Sequence, residues 1–177
     1  MNSMNAADRE QVLRLIAESD AALVAAVAGV SDEGARKRPE PQRWSVLECV
    51  EHVILVEDGV FASISARSTP GAPSVEPRRE GQILRGMTNR ERKIPAPEHA
   101  EPTGRYSSLA EALQEFRKRR ARGVAYVEQY QDDPRNRTTL HPVLGPVNCQ
   151  EMFLVLALHP ARHALQIKEA RKSLGLE

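Results

Sequence analysis

Aromatic side chains are scarce in this chain: three Phe, three Tyr and one Trp make up 4% of its 177 residues. A sheet stiffened by aromatic and β-branched pairs is hard to build from that supply, whereas aliphatic and alanine-rich runs suit helix packing. Cysteine is equally sparse. Cys49 and Cys149 could pair only if the fold joined them, and a reducing cytosol would keep them as thiols, so both read first as small buried hydrophobes. No apolar run approaches the roughly 20 residues that cross a bilayer. The opening MNSMNAADREQ is polar where a signal peptide needs an apolar core, so a cytoplasmic protein away from the membrane is expected. Charge of one sign is not in excess either. The 25 Lys plus Arg against 24 Asp plus Glu leave +1, and no global field draws the chain to nucleic acid or anionic lipid.

What is present is helical periodicity. A chain of this length buries roughly 70% of its unfolded surface, so residues 1–177 are expected to form one all-α domain. The first stretch runs from about Ala6 to Ala28, with Val12, Ile16, Leu23, Val27 and Val30 on one stripe. Asp20 falls on that stripe and reads as a boundary residue or a polar contact. A second helix opens at RWSVLE, where Ser45 and Glu48 form a capping box, and runs to about Ala66. The third begins at SSLAE with Ser108 and Glu111 and carries Leu109, Leu113, Phe116, Val124 and Val127 inward. Arg120 shares its stripe, with a packed stem and a head reaching water as the expectation. The fourth follows Asn148, with Glu151 completing another box, and reaches about Ser173. Pro160 interrupts it, removing the bond to the Leu156 carbonyl, and predicts a kink or a restart.

Between the second and third helices, Arg67 to Ser107 hold six of the twelve prolines. So long a connection points to a functional loop or a mobile segment, with GQILRGMTNRERK as a candidate short helix. Its reach exceeds a bundle about 33 Å long, so the second and third helices are free to run parallel in a crossover bundle. The spacing alone does not choose that topology.

Chemistry concentrates in histidine. His159 and His163, in LHPARHALQI, are four apart, which puts both rings on one helix face with Cβ atoms roughly 6 Å apart. Position 159 lies on the stripe of Met152, Leu156, Ile167 and Ala170, facing the interior. His52 sits beside the buried face marked by Cys49, Val53, Val56 and Val60. Three buried neutral imidazoles are costly unless their lone pairs find donors or a cation. A divalent ion with three protein ligands and an open position is the pattern of catalytic sites. Each histidine could equally be a packing residue with its own hydrogen bond, and the residues by themselves leave both readings open.

The order WSVLECVEH, then PAPEHAEPTGRYSSLAEALQEF, then HPVLGPVN ahead of HPARHALQI, resembles the DinB-like superfamily over roughly residues 8 to 173. Within it the likeness is particularly to the metal-dependent hydrolase branch that includes the YfiT-like proteins. The resemblance implies an all-α four-helix bundle with a long crossover between its second and third helices. It also implies a divalent ion on His52, His159 and His163. Some members transfer low-molecular-weight thiols, so the expected function is a metal-dependent enzyme activating such a thiol, as an S-transferase, or a water, as a hydrolase. Zinc and nickel are the expected ions, a small molecule the substrate, and a homodimer the expected assembly. Pro160 departs from a helix-compatible residue within the metal motif.

Around this set, Gln166 could orient a ligand and Glu48 could accept an imidazole proton. Arg162 reads as a surface salt-bridge residue, His141 as a solvent-facing loop residue, and His99 has no evident partner. The rival function is a non-catalytic metal-binding stress-response protein, in which a fourth ligand, with Cys49 as candidate, would close the coordination sphere. The run RKRRAR, Arg117 to Arg122, could touch phosphates, but it wraps around a helix with Glu111, Glu115 and Glu128 nearby and lacks aromatic interleaving.

Overall fold

The computed structural model describes residues 3–72, 79–91 and 93–176. Four long helices dominate it: α1 (Ala6–Val27), α3 (Val46–Ser65), α5 (Leu109–Gln129) and α6 (Cys149–Leu174). Their starts are set by side-chain caps where the sequence offers them. Asn5 accepts from Asp8 N, Ser45 from Glu48 N, Ser108 from Glu111 N, and Asn148 from Glu151 N. Ser45 and Asn148 form full capping boxes. At Ser108 the box is incomplete, because Glu111 turns its carboxylate to Ser107 N instead. Among the described residues no helix is long and apolar enough to cross a membrane.

Contacts along the helices fix their directions. Asp58 of α3 meets Arg119 and Arg122 of α5, and Phe61 meets Tyr126 one turn further on, so α3 and α5 run parallel. Arg9 reaches the carbonyls of Glu128 and Tyr130 at the far end of α5, while Arg171 reaches those of Ala26 and Ala28. Helices α1 and α6 are therefore parallel to each other and antiparallel to the other two. Each long helix packs on two of the others, α1 and α3 standing diagonally across the bundle. The crossover topology thus holds, and the connection from Ala66 to Ser108 travels the full length of the bundle.

That connection carries α4 (Glu80–Gly86), which covers the first half of the segment expected to be a short helix, and a 3-10 turn at Glu98–Ala100. Two features were not anticipated. A short helix α2 (Asp32–Arg36) follows α1, capped by Ser31. A small antiparallel sheet joins β1 (Thr69–Pro70), β2 (Arg137–His141) and β3 (Gly145–Asn148) in that order. The segment around His141, which was expected to be loop, is thus largely a hairpin. Its β-branched Thr138 and Thr139 and the turn signal Pro142 to Gly145 were the available cues, with Gly145 at φ +73 closing the turn.

Helix α6 does not restart at Pro160 but continues through it. The Leu156 carbonyl released by the missing amide hydrogen receives Arg120 Nη1 at 2.8 Å. Arg120 is 3% exposed, so the expected snorkelling is wrong. Its Nη1 also holds Glu57 at 2.8 Å, its Nε holds Asp20 at 2.6 Å, and its Nη2 donates to Ser19 Oγ at 2.8 Å. Asp20 lies on an apolar stripe because it is one of the partners of this buried cation. Burial pushes the Glu57 carboxyl up to about 7 against the pull of Arg120.

Replacing Arg120 by Met leaves Glu57 buried without its cation and should cost about 3–5 kcal/mol of stability. Adding Pro160→Ala, which restores a helical amide for Leu156, should recover about 1 kcal/mol in that background. Urea denaturation of the single and double variants reads both numbers, and a loss below about 1 kcal/mol for Arg120→Met would refute the central role of this residue.

Candidate metal centre

The antiparallel packing of α3 on α6 brings His52 opposite His159 and His163. Their rings stand 5.1 Å and 4.6 Å from His52 between centroids, and 4.4 Å from each other. One nitrogen from each imidazole lies within 4.8 Å of the others. The Nε2 atoms of His159 and His163 are 3.0 Å apart. Three nitrogens each about 2.0–2.1 Å from a tetrahedral ion stand roughly 3.3 Å from one another, so a small closure around an ion fits the donor set. All three residues singled out in the sequence are therefore brought together.

The His52 ring is held from outside. His52 Nδ1 lies 2.7 Å from the carbonyl of Ala100, which fixes Nδ1–H as the donor and leaves the Nε2 lone pair facing the other two rings. The neighbouring Glu51, 1% exposed, takes the amides of Thr103, Gly104 and Arg105 at 2.8, 3.0 and 3.1 Å. Gly104, at φ +79, lets successive N–H groups converge on one carboxylate. Glu51 and His52 together clip the crossover onto α3, a role the sequence reading missed. Trp44 packs against His52 at 4.6 Å and stacks toward His163 at 6.3 Å.

Electrostatics keep the triad neutral. Burial lowers the pKa of His52, against the Ala100 hydrogen bond. It drives His159 and His163 well below the usual histidine value, with further repulsion from the other imidazoles and from Arg162. Neutral imidazoles have the lone pairs that a metal requires. The Nδ1 atoms of His159 and His163 are buried without a hydrogen-bond partner.

Other residues fall differently from expectation. Glu48 does not reach an imidazole, since it completes the Ser45 cap and pairs with Arg38. Cys49 is fully buried, stands outside the histidine cluster, and has its thiol pushed up to about 12 by burial, so it does not serve as a fourth ligand here. Arg162 is buried rather than a surface residue, and donates to the carbonyls of Met87 and Asn89. Gln166 lies beside the site and accepts from Arg90 at 3.2 Å. In the basic run, Lys118 and Arg119 pair with Glu115, Arg119 and Arg122 with Asp58, and Arg120 is buried.

The triad forms part of the wall of a cavity of about 760 Å³, which all five histidines line. His141 does not simply face solvent. Its Nδ1 accepts from the amides of Val143 and Leu144, each at 3.1 Å, so its other nitrogen carries the proton. Burial and the nearby Arg79 lower its pKa to about 4.

The sequence profile of the DinB superfamily matches residues 10–167, and the chain belongs to that superfamily. The protein YuaE of Bacillus subtilis (strain 168) is 25% identical over 146 residues, spanning 82% of this chain and 88% of YuaE. Among solved structures the fold is similar to that of YfiT from Bacillus subtilis, with a TM-score of 0.61 at 16% identity, covering 99% of this chain and 92% of YfiT. YfiT is described as a probable metal-dependent hydrolase with an unusual four-helix bundle topology.

Four of the five histidines have depressed folded pKa values. Below about pH 6.5 the unfolded chain therefore binds more protons than the folded one. Stability of the metal-free protein should fall as pH drops from 6.5 toward 4, with a slope of up to about 1.4 kcal/mol per pH unit for each histidine. Glu57, with its raised pKa, opposes this in part. Urea midpoints at stepped pH measure the slope. His163→Asn should flatten it, and a profile unchanged by that variant would contradict the assignment.

Proposed function

We propose that the chain is a metal-dependent enzyme in which His52, His159 and His163 hold one divalent ion, zinc or nickel, at the wall of the cavity. The observation that carries this reading is the convergence of three neutral imidazoles, two buried and one half-buried, on one point beside that cavity. When bound, such an ion lowers the pKa of a water or thiol placed on it and supplies a nucleophile at neutral pH. Ligand chemistry suits both ions, since imidazole binds late transition metals in general.

The chain's own residues supply the rest. The Ala100 carbonyl keeps His52 in the tautomer that presents Nε2. Trp44 covers the rings from one side and limits water there. With Cys49 outside the cluster, an ion there would have three protein ligands and room for a further one, which favours turnover over a closed structural site. Water as the activated group gives a hydrolase, in keeping with the description of YfiT. A low-molecular-weight thiol in the same position gives an S-transferase. We further propose a cytoplasmic protein with a small-molecule substrate, the cavity beside the triad being of a size for one.

Elemental analysis of chelator-treated, metal-reloaded protein should give about one equivalent of zinc or nickel per chain. His159→Ala and His163→Ala should each lose it, while Ala100→Gly, which keeps the carbonyl, should not. Absence of metal from the wild type after reloading would sink the metalloenzyme reading.

A further inference from the structure

The cavity is electrically and chemically lopsided along the α3–α6 groove. Toward the Trp44 and His163 end its lining includes Arg43, Arg90, Lys93 and Arg162. Arg90 there chelates Glu169 at 3.0 and 2.9 Å, and Arg43 reaches Glu40 at 3.1 Å. Over the whole lining, five Lys and Arg side chains stand with two carboxylates, Glu101 and Glu169, among the described residues. Four of these five cations lie toward the Trp44 end and the fifth, Arg67, donates to Gly59 O and Ser63 Oγ at the other, so in a chain of net charge +1 positive charge gathers at the Trp44 end.

Apart from Ser63 and Arg67, the opposite end is apolar. Val56 and Val60 of α3 face Met152 and Val155 of α6, and the β2–β3 hairpin adds Leu140 and Val143. Leu140 is 67% exposed and Val143 49%; with Ile94 at 46% they make three of the five large exposed hydrophobics among the described residues, and all three line this cavity. The hairpin tip that presents them is braced. His141 Nδ1 takes the amides of Val143 and Leu144, and the Arg79 guanidinium takes the carbonyls of Leu144 and Pro146. Exposed apolar side chains on a pre-ordered tip are a contact surface awaiting a ligand rather than a loose loop.

We infer that the site takes a small organic anion carrying an aliphatic arm. Its anionic head lies toward Arg43 and Lys93, and its arm lies under the hairpin against Leu140 and Val143. Its middle passes the histidine triad, a placement that rests on the metal-site reading. The binding itself does not depend on that reading. Lengthening the arm should tighten binding, by about fourfold per methylene where burial is complete.

Trp44, the only tryptophan of the chain, lines the cavity and reports its occupancy. Octanoate, butanoate and octylammonium are titrated into metal-free protein while Trp44 fluorescence is followed. Octanoate should bind at least about tenfold more tightly than both butanoate and octylammonium, given burial of four further methylenes and a head of the right sign. Leu140→Ser with Val143→Ser should reduce octanoate affinity about tenfold and leave butanoate unchanged, and Lys93→Ala with Arg43→Ala should weaken both. The hairpin positions are exposed, and an unchanged helical circular dichroism spectrum confirms that these variants fold. Equal binding of octanoate and octylammonium, no saturation by octanoate, or hairpin variants without effect would overturn the inference. Metal stoichiometry is measured separately, so loss of the metal reading with octanoate binding intact, or the reverse, tells the two failures apart.

Discussion

The guanidinium of Arg120 sits where all four long helices meet. From α5 it holds Asp20 and Ser19 of α1, Glu57 of α3 and the Leu156 carbonyl of α6. An ion of this kind is expensive to bury, and it is tolerated only when its donors are satisfied in good geometry. Four of the five N–H donors a guanidinium carries are satisfied here. The constraint acts on every helix at once. A rotation of α1, α3 or α6 that would be a small loss in a purely aliphatic core leaves a buried charge or carbonyl without its partner. Such a core would accept several registers; this one accepts the register that closes the network.

The same residue explains how a proline is accommodated between the paired histidines of α6. Pro160 follows His159 and removes one rung from the α6 ladder, a defect that usually kinks a helix. Because Arg120 supplies the missing donor to Leu156, α6 remains helical between its two candidate ligands. Their four-residue spacing therefore still places both rings on one face. Structural defect and compensation lie on different helices, 36 residues or more apart in sequence, so neither can be understood alone.

Much of this was legible in the sequence where local rules decide. The caps at Ser45 and Asn148, the 3.6-residue stripes and the four-residue histidine spacing all act within a few residues, and the helices start where those signals stand. The crossover was allowed by length but not chosen by it, because the direction of α5 depends on contacts such as Asp58 with Arg119 that no local pattern states. Polar residues were read least well. Arg120 and Arg162 were assigned to the surface by their usual habit and Asp20 was left between boundary residue and polar contact, and each is engaged by distant groups that the fold brings to it. Glu51 was invisible for the same reason: its partners, the amides of Thr103 to Arg105, are backbone groups more than fifty residues away.

The long connection is the element in which topology and chemistry become one problem. Parallel α3 and α5 require a chain segment that runs the length of the bundle, and such a segment carries many amides and carbonyls that need partners. Glu51 and His52, adjacent on α3, each take part of that demand, one accepting from amides and the other donating to Ala100 O. The demand on His52 is what orients its ring toward α6. A crossover docked elsewhere would leave His52 free to choose either tautomer and several rotamers, and the three-nitrogen cluster would lose its definition. The unusual connection of the bundle is therefore a condition for the site, since it selects the nitrogen that His52 presents.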